Sequence, residues 1–202
     1  MSAVERVLLK FEHTLPSTNI RHLVVTGAMV DDPSGELKEI LDHPDDPARE
    51  EAFHRLLLEE EKNLEEMLRQ KAAEWQERYG IRFSEQRIQL LTRRSVETQT
   101  EVEGAVEEIR AIHQTAREFA ENFSRRNDLE ISFTEEAIDR LVEKVWKEGP
   151  EPAEYLGRSF QNYEHGLKLI REKTGKREFS IPAEGMENPD QFLNGMIQET
   201  YR

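Results

Sequence analysis

The sequence predicts a mainly α-helical protein with a minor β component, in which a long antiparallel helical hairpin joins a small helical domain with two or three short strands. Apolar residues recur at helical spacing through residues 46–126, and two short stretches after residue 127 alternate at the strand period. Hydrophobic and charged residues make up 36% and 35% of the chain, so much of it must be solvated surface, as in long exposed helices. We therefore predict three parts: a helix and a strand in residues 1–45, the hairpin in 46–126, and a small unit in 127–202.

The first part begins with an apolar stripe at helical spacing, formed by Val4, Leu8, Phe11 and Leu15. This helix is expected to stop before Pro16, because the residue before a proline disfavours the helical conformation. An extended segment is predicted at residues 23–26, and the proline and glycine of residues 33–35 indicate a turn. Residues 42–47 are polar and contain proline, which is typical of a domain boundary.

A long helix is predicted to begin at Pro47, with Asp46 as its N-cap, and to run to Tyr79 before Gly80. Its apolar residues form three pairs offset by eleven positions, which suits a straight seam against a partner helix. These residues are Phe53, Leu57, Leu64, Leu68, Trp75 and Tyr79.

A second helix is predicted after Ser84, which is a good N-cap, and keeps the a and d positions of a heptad through five repeats. The heptad residues are Ile88, Leu91, Ser95, Thr98, Val102, Ala105, Ile109, Ile112, Ala116, Phe119 and Phe123. Ser95 and Thr98 make the seam polar, so residues 92–101 are a candidate bend, and continuity over residues 84–126 stays open. Such a hairpin is most simply a structural arm, and a docking role requires an exposed apolar stripe.

The third part opens with Leu129, Ile131 and Phe133 alternating with polar residues, which predicts a strand. Thr134 is placed to cap a following helix, whose first turn carries two glutamates where the helix dipole favours negative charge. The apolar stripe of that helix consists of Ala137, Ile138, Leu141, Val142 and Val145. Gly149 and Pro150 are expected to end it.

A further helix is predicted to start at Pro152 and to end near Gly175, with one continuous apolar face. That face consists of Leu156, Phe160, Tyr163, Leu167 and Ile170. Residues 177–181 are predicted to form a second strand. Asn188 and Pro189 resemble the capped start of a last helix.

The stretch from Ile131 to Ile138, Ile-Ser-Phe-Thr-Glu-Glu-Ala-Ile, resembles the C-terminal small domain of ClpX-like AAA+ ATPases. Residues 109–186 follow the order of that domain: a helix, a short strand, a capped helix, a second helix, and a strand that pairs beside the first. The segment 7–32 looks like the closing helix and strand of another such domain. The resemblance covers a little over half of the chain and implies a parent ATP-dependent unfoldase that uses ATP and magnesium.

The chain departs from this family at the motif whose first arginine senses nucleotide, because the corresponding residues are Pro-Ala-Glu-Tyr-Leu-Gly-Arg from Pro152 to Arg158. Glu154 stands where the arginine is expected. Arg158 is therefore the candidate for nucleotide binding, and only if the helix register shifts. The chain also lacks the glycine-rich phosphate loop with its Lys-Ser/Thr ending.

The composition of the chain argues against several other classes of function. Forty-two acidic and 28 basic residues give a net charge of −14, which disfavours nucleic acids. Cysteine is absent, and charges among the first twelve residues argue against a signal peptide. No run approaches the length of a membrane span, so we expect a cytoplasmic protein that does not enter membranes. The six histidines lack metal-ligand spacing, so no catalytic, metal or cofactor site is expected.

Two functional hypotheses follow from these patterns, and an enzyme with an unrecognised site is a third possibility. The first is a non-catalytic C-terminal region of a ClpX-like ATPase, which serves assembly or the docking of substrates and protein partners. Its partners are then an ATPase core or further copies of the chain itself. The alternative is a free-standing helical scaffold or dimerisation module unrelated to ATPases.

Overall fold

A computed structural model describes residues 3–12, 14, 20 and 23–202. It is mostly helical with a small two-stranded sheet, which confirms the predicted fold class. The helices are α1 (Ala3–Glu12), α2 (Gly27–Asp31), α3 (Pro33–Asp42), α4 (Pro47–Tyr79), α5 (Glu85–Thr98), α6 (Val102–Asn127), α7 (Glu135–Glu148), α8 (Pro152–Ser159), α9 (Tyr163–Thr174), α10 (Ala183–Glu187) and α11 (Pro189–Tyr201). The strands are β1 (Glu130–Phe133) and β2 (Glu178–Ile181).

The chain divides into two compact units, Met1–Leu64 and Glu65–Arg202. The division falls inside α4, whereas the sequence predicts boundaries after residues 45 and 126. Residues 65–126 therefore belong to the same unit as the C-terminal strands.

The first unit has a small apolar core formed by Val7, Phe11, Met29 and Ile40. The strand predicted at residues 23–26 is absent, because this segment is irregular and ends in the N-cap of α2. There the hydroxyl of Thr26 accepts a hydrogen bond from the Met29 N–H at 3.3 Å. The predicted helix end at Pro16 lies outside the described residues.

The turn predicted at residues 33–35 is instead the first turn of α3. Asp32 caps this helix by accepting a hydrogen bond from the Gly35 N–H at 3.0 Å, and Pro33 occupies its first position. Ile40 lies on the inner face of α3 and is only 3% exposed. Both the Asp32–Pro33 helix start and the burial of Ile40 therefore favour this helix.

Helix α4 begins and ends where the sequence predicts. The Asp46 carboxylate accepts a hydrogen bond from the Ala48 N–H at 3.0 Å, which satisfies one of the unpaired amides at the helix start. Beyond Tyr79 the chain reverses at Gly80, whose φ of +68° suits glycine. The reversal brings Trp75 edge-on to Phe83, with their ring centroids 6.0 Å apart.

The second helix of the predicted hairpin is not continuous. Helix α5 ends at Thr98, Gln99 adopts a left-handed conformation with φ of +52°, and α6 starts three residues later. The Thr98 hydroxyl donates to the Arg94 carbonyl, and Thr100 N–H donates to Ser95 O, so local polar contacts compete with the helix here. Helices α5 and α6 pack against each other, and the predicted bend is thus a full break.

The heptad residues nevertheless face the protein interior, except for half-buried Phe119 and exposed Thr98.

Two buried polar residues of α5 lower the stability of the protein. Both Thr92 and Ser95 are buried, and neither hydroxyl oxygen has a hydrogen-bond partner among the described residues. A buried hydroxyl without a partner costs free energy.

Replacing Ser95 by alanine is therefore expected to raise the free energy of unfolding by about 1 kcal/mol, because it removes an unsatisfied group and favours the helix. Urea denaturation monitored by circular dichroism gives this value. The matched control is Ser124→Ala on α6, since the Ser124 hydroxyl donates to the Ala120 carbonyl at 2.8 Å and alanine there brings no such gain. A less stable Ser95→Ala protein would refute the idea that this hydroxyl is unpaired.

The strands β1 and β2 pair in parallel, with Ile131 opposite Phe179 and Phe133 opposite Ile181. Helix α7 begins at its predicted cap, where Thr134 accepts a hydrogen bond from the Ala137 N–H at 3.2 Å, and ends at Gly149. Both predicted strands are present, and they are the only strands in the described ranges.

The helix predicted from Pro152 to Gly175 is divided into α8 and α9 by a short turn at residues 160–162. Its predicted apolar face is still buried throughout. Phe160, at the turn, is 2% exposed and its ring lies 4.5 Å from that of Tyr163 and 5.4 Å from that of Phe133, measured between centroids. Aromatic packing thus connects the turn between α8 and α9 to Phe133 of β1.

Candidate functional site

The residues that the sequence analysis compared with a nucleotide-sensing motif lie on α8. Glu154 and Arg158 are both exposed and one helical turn apart, whereas the adjacent Tyr155 and Leu156 are buried. A carboxylate therefore occupies the position at which the family resemblance expects an arginine. Neither Glu154 nor Arg158 contributes to the clusters and grooves of the second unit described below.

The most strongly polar buried site of the second unit is centred on Arg87, whose side chain is fully buried. We call Arg87, Asp139, Glu135 and His113 the Arg87 cluster. The Arg87 Nε donates to Asp139 Oδ1 at 2.6 Å, and Nη2 lies equally close to that oxygen. Nη1 donates to Glu135 Oε2 at 2.8 Å and to the Arg82 carbonyl at 2.9 Å.

The two carboxylates of the Arg87 cluster come from the first turns of α7, where Glu135 and Asp139 are one turn apart on the same face. Arg87 lies in the first turn of α5, which Ser84 caps through the Arg87 N–H. The two helix starts are thereby joined by one guanidinium. Because all three guanidinium nitrogens have protein acceptors, the cluster acts as an internal clamp rather than as a ligand site.

The environments of the two carboxylates differ. The hydrogen bond to His113, and then the hydrogen bond and charge of Arg87, lower the pKa of Glu135 to about 2. Burial raises the pKa of Asp139, which is only 1% exposed, and the positive charge of Arg87 offsets part of that rise. Glu135 is also within 3.4 Å of His113 Nε2 and lies at the edge of the cluster.

Replacing Glu135 by glutamine is expected to remove a pH-dependent part of the stability. A carboxylate whose folded pKa lies below its unfolded value stabilises the fold above about pH 4.5, and this contribution disappears as the pH falls toward about 2. The stability difference between the wild type and Glu135→Gln should therefore be largest near neutral pH and vanish near pH 2.

Urea denaturation at a series of pH values measures this difference. Glu130→Gln, which removes an exposed carboxylate of β1 outside the Arg87 cluster, is the control variant. A difference between wild type and Glu135→Gln that stayed constant from pH 7 to pH 3 would contradict the assignment.

A groove runs along α6 and β1 beside the Arg87 cluster, and we call it the α6–β1 groove. It has a volume of about 710 Å³. Its α6 wall includes His113, Arg117, Ala120, Glu121, Ser124 and Arg125, and its other wall comprises residues 128–133 with Ile138 and Arg177. His113 belongs to both features, so the clamp fixes one end of the groove.

Sequence reasoning missed the Arg87 cluster. Arg87 directly precedes the apolar Ile88, and Asp139 follows Ile138, so a charged residue inside each apolar stripe was the available signal. Their pairing joins residues 52 positions apart and cannot be read from either stripe alone. The α6–β1 groove has no sequence signal, because it arises from the way a helix and a strand pack together.

In the described ranges 3–12 and 23–202, no group of three or more His, Asp or Glu side chains is arranged to hold a metal ion. Within the same ranges, no helix combines the length and apolar character needed to cross a membrane.

Comparison of the chain with protein-family models, with curated proteins and with solved structures gave no match.

Proposed function

We propose that the chain is a non-catalytic C-terminal region of a ClpX-like AAA+ ATPase, serving assembly or the docking of substrates and protein partners. The observation that carries this proposal is the order α6, β1, α7, α8, α9, β2, with β1 and β2 paired side by side. This is the order that the small domain of such ATPases implies. The stretch at residues 131–138 that resembles this family includes the capped start of α7 in that order.

The absence of nucleotide chemistry in this chain is the second part of the proposal. An exposed carboxylate at Glu154 in place of an arginine would repel the phosphates of ATP. ATP and magnesium would act in the parent protein, at a phosphate loop outside this chain. The net charge of −14 supports protein partners over nucleic acids, and the lack of cysteine accords with the cytoplasm.

Isothermal titration of the chain with ATP and magnesium tests the non-catalytic assignment. We expect no binding heat up to about 1 mM nucleotide, a concentration that detects even weak sites. Clear saturable binding would overturn the assignment. In that case Arg158→Ala tests whether the candidate arginine contributes.

Association with an ATPase core is tested by sedimentation of the chain mixed with a ClpX-like AAA+ core protein. Comigration at micromolar concentrations supports the assembly function, and independent sedimentation at every ratio contradicts it. A lysozyme mixture provides the control for non-specific attraction to an acidic chain, because lysozyme is basic and charge alone draws such pairs together.

An alternative function, a free-standing dimerisation module, has its own supporting observation in the first unit. Six leucine or valine side chains are 39–66% exposed there: Val4, Leu8, Leu9, Leu41, Leu56 and Leu58. Exposed apolar groups of this kind favour self-association. Light scattering tests this alternative, since a stable dimer with twice the monomer mass of 23.7 kDa in the absence of any ATPase core would favour it.

A further inference from the structure

One edge of β1 is free of strand pairing. The N–H of Glu130 donates to Arg177 O at 2.7 Å and that of Thr134 to Ile181 O at 3.0 Å, so alternate residues face β2. The intervening residues, Ile131 and Phe133, must direct their backbone groups to the opposite edge. That edge has no neighbouring strand in the described ranges.

Ile131 and Phe133 both line the α6–β1 groove. The N–H of Ile131 makes only a long hydrogen bond of 3.4 Å, to the Ser124 hydroxyl of α6. Unpaired N–H and C=O groups in a row are what an extended peptide binds when it adds a strand to a sheet. A groove of about 710 Å³ lies in the size range of sites that enclose a ligand.

The charges of the groove are unequal on its two walls. On α6, Arg117 is 63% exposed and its carboxylate contact, with Glu121, is a loose 3.7 Å. Arg125 donates to the Asn122 side chain and to a backbone carbonyl rather than to a carboxylate. The α6 wall is therefore net positive, although the whole chain carries a charge of −14.

The strand wall has the opposite balance. Its carboxylates are those of Asp128 and Glu130, and its cation is Arg177, which lies 3.3 Å from Asp128. Glu130 is exposed on β1. An incoming segment would thus meet positive charge on the α6 side and a polar, mildly negative strand face on the other.

We propose that the α6–β1 groove binds an extended peptide segment of a protein partner, which pairs with the free edge of β1 and places acidic side chains against Arg117 and Arg125. This inference rests on the docking function proposed above and assigns it a site and a ligand chemistry. Main-chain hydrogen bonds provide affinity, and the α6 arginines select for carboxylates. His113, which contacts Glu135 of the Arg87 cluster, also lines the groove.

Three labelled heptapeptides test the proposal by fluorescence anisotropy with the full chain. The first alternates valine and glutamate, the second alternates valine and lysine, and the third is the valine–glutamate peptide with N-methylated amides. We expect the first to bind, and the other two to bind at least about tenfold more weakly, because they lack the charge match or the main-chain donors. In ¹⁵N-NMR spectra, binding should shift the amide signals of Ile131 and Phe133.

Arg117→Glu is the variant that probes the charge preference. Arg117 is exposed, so this change should leave the fold intact while weakening the valine–glutamate peptide about tenfold and strengthening the valine–lysine peptide. The matched control is Arg110→Glu, an exposed position on the same helix that does not line the groove. Its affinities should equal those of the wild type.

Two results would overturn the proposal: no binding of any peptide at about 1 mM, or equal affinity for all three, since recognition would then involve neither charge nor main chain. These failures are distinguishable from failure of the docking function itself. If Arg117→Glu still comigrates with the ATPase core in sedimentation, docking stands and this groove is not its site. If neither peptide binding nor comigration occurs, both proposals fall.

Discussion

Replacing Arg87 by methionine should lower the free energy of unfolding by about 3–5 kcal/mol, which is the cost of leaving a buried carboxylate without its counter-charge. Asp139 is only 1% exposed and receives two guanidinium nitrogens at 2.6 Å. Without Arg87, no other cation is in contact with Asp139 among the described residues. Urea denaturation at pH 7 measures the loss.

The double variant Arg87→Met, Asp139→Leu is the decisive control. It removes both charges and fills the site with apolar side chains, so its stability should return to within about 1–2 kcal/mol of the wild type. The deficit of Arg87→Met alone should also shrink as the pH is lowered, because burial already raises the pKa of Asp139 and protonation removes the buried charge. A loss below about 1 kcal/mol at pH 7 would show that the ion pair is not buried in solution.

Replacing Ile112 by aspartate should destabilise the second unit by more than about 3 kcal/mol, because a carboxylate would enter an apolar core without a partner. Ile112 is 5% exposed and lies on the buried face of α6, at one of the predicted heptad positions. Thermal unfolding followed by circular dichroism gives the loss of stability. Light scattering on the same samples shows whether the oligomeric mass changes with it.

Ala111→Asp provides the matched control for that experiment. Ala111 is adjacent in sequence but exposed, so the same new charge costs only the difference in helix propensity, about 0.5–1 kcal/mol. An Ile112→Asp protein with an unchanged melting temperature would contradict the burial of the heptad face. A change of mass without loss of helix would instead place Ile112 in an interface between copies.

Elements whose signals are local were predictable from the sequence. Helix α4 has an aspartate and a proline at its start and a glycine beyond its end, and all of these act within one turn of the helix terminus. Strand β1 and the cap of α7 are equally local, since Thr134 bonds to an amide only three residues away.

Where sequence prediction failed, packing or competing local signals decided the outcome. Asp32 and Pro33 carry the same helix-start pattern as Asp46 and Pro47, but Gly35 makes the segment look like a turn. In the structure Asp32 and Pro33 start helix α3, and Ile40 on that helix packs into the core.

The break between α8 and α9 was missed because the apolar spacing is uninterrupted across it. Phe160 and Tyr163 are three residues apart, which fits a continuous helix as well as two short ones. The ring contact of Phe160 with Phe133 of β1 is a tertiary interaction and has no counterpart in the spacing. The same holds for the candidate site, because the Arg87 cluster and the α6–β1 groove combine residues from helices and strands far apart in sequence.

The parallel pairing of β1 with β2 has a consequence for synthesis on the ribosome. Glu130 pairs with Glu178, so 48 residues separate each strand position from its partner. At roughly 5–20 residues per second, translation of that interval takes roughly 2–10 s. During those seconds both edges of nascent β1 are unpaired, whereas the folded protein leaves only one without a strand among the described residues. Chaperones or other nascent chains can therefore bind the edge that β2 later occupies.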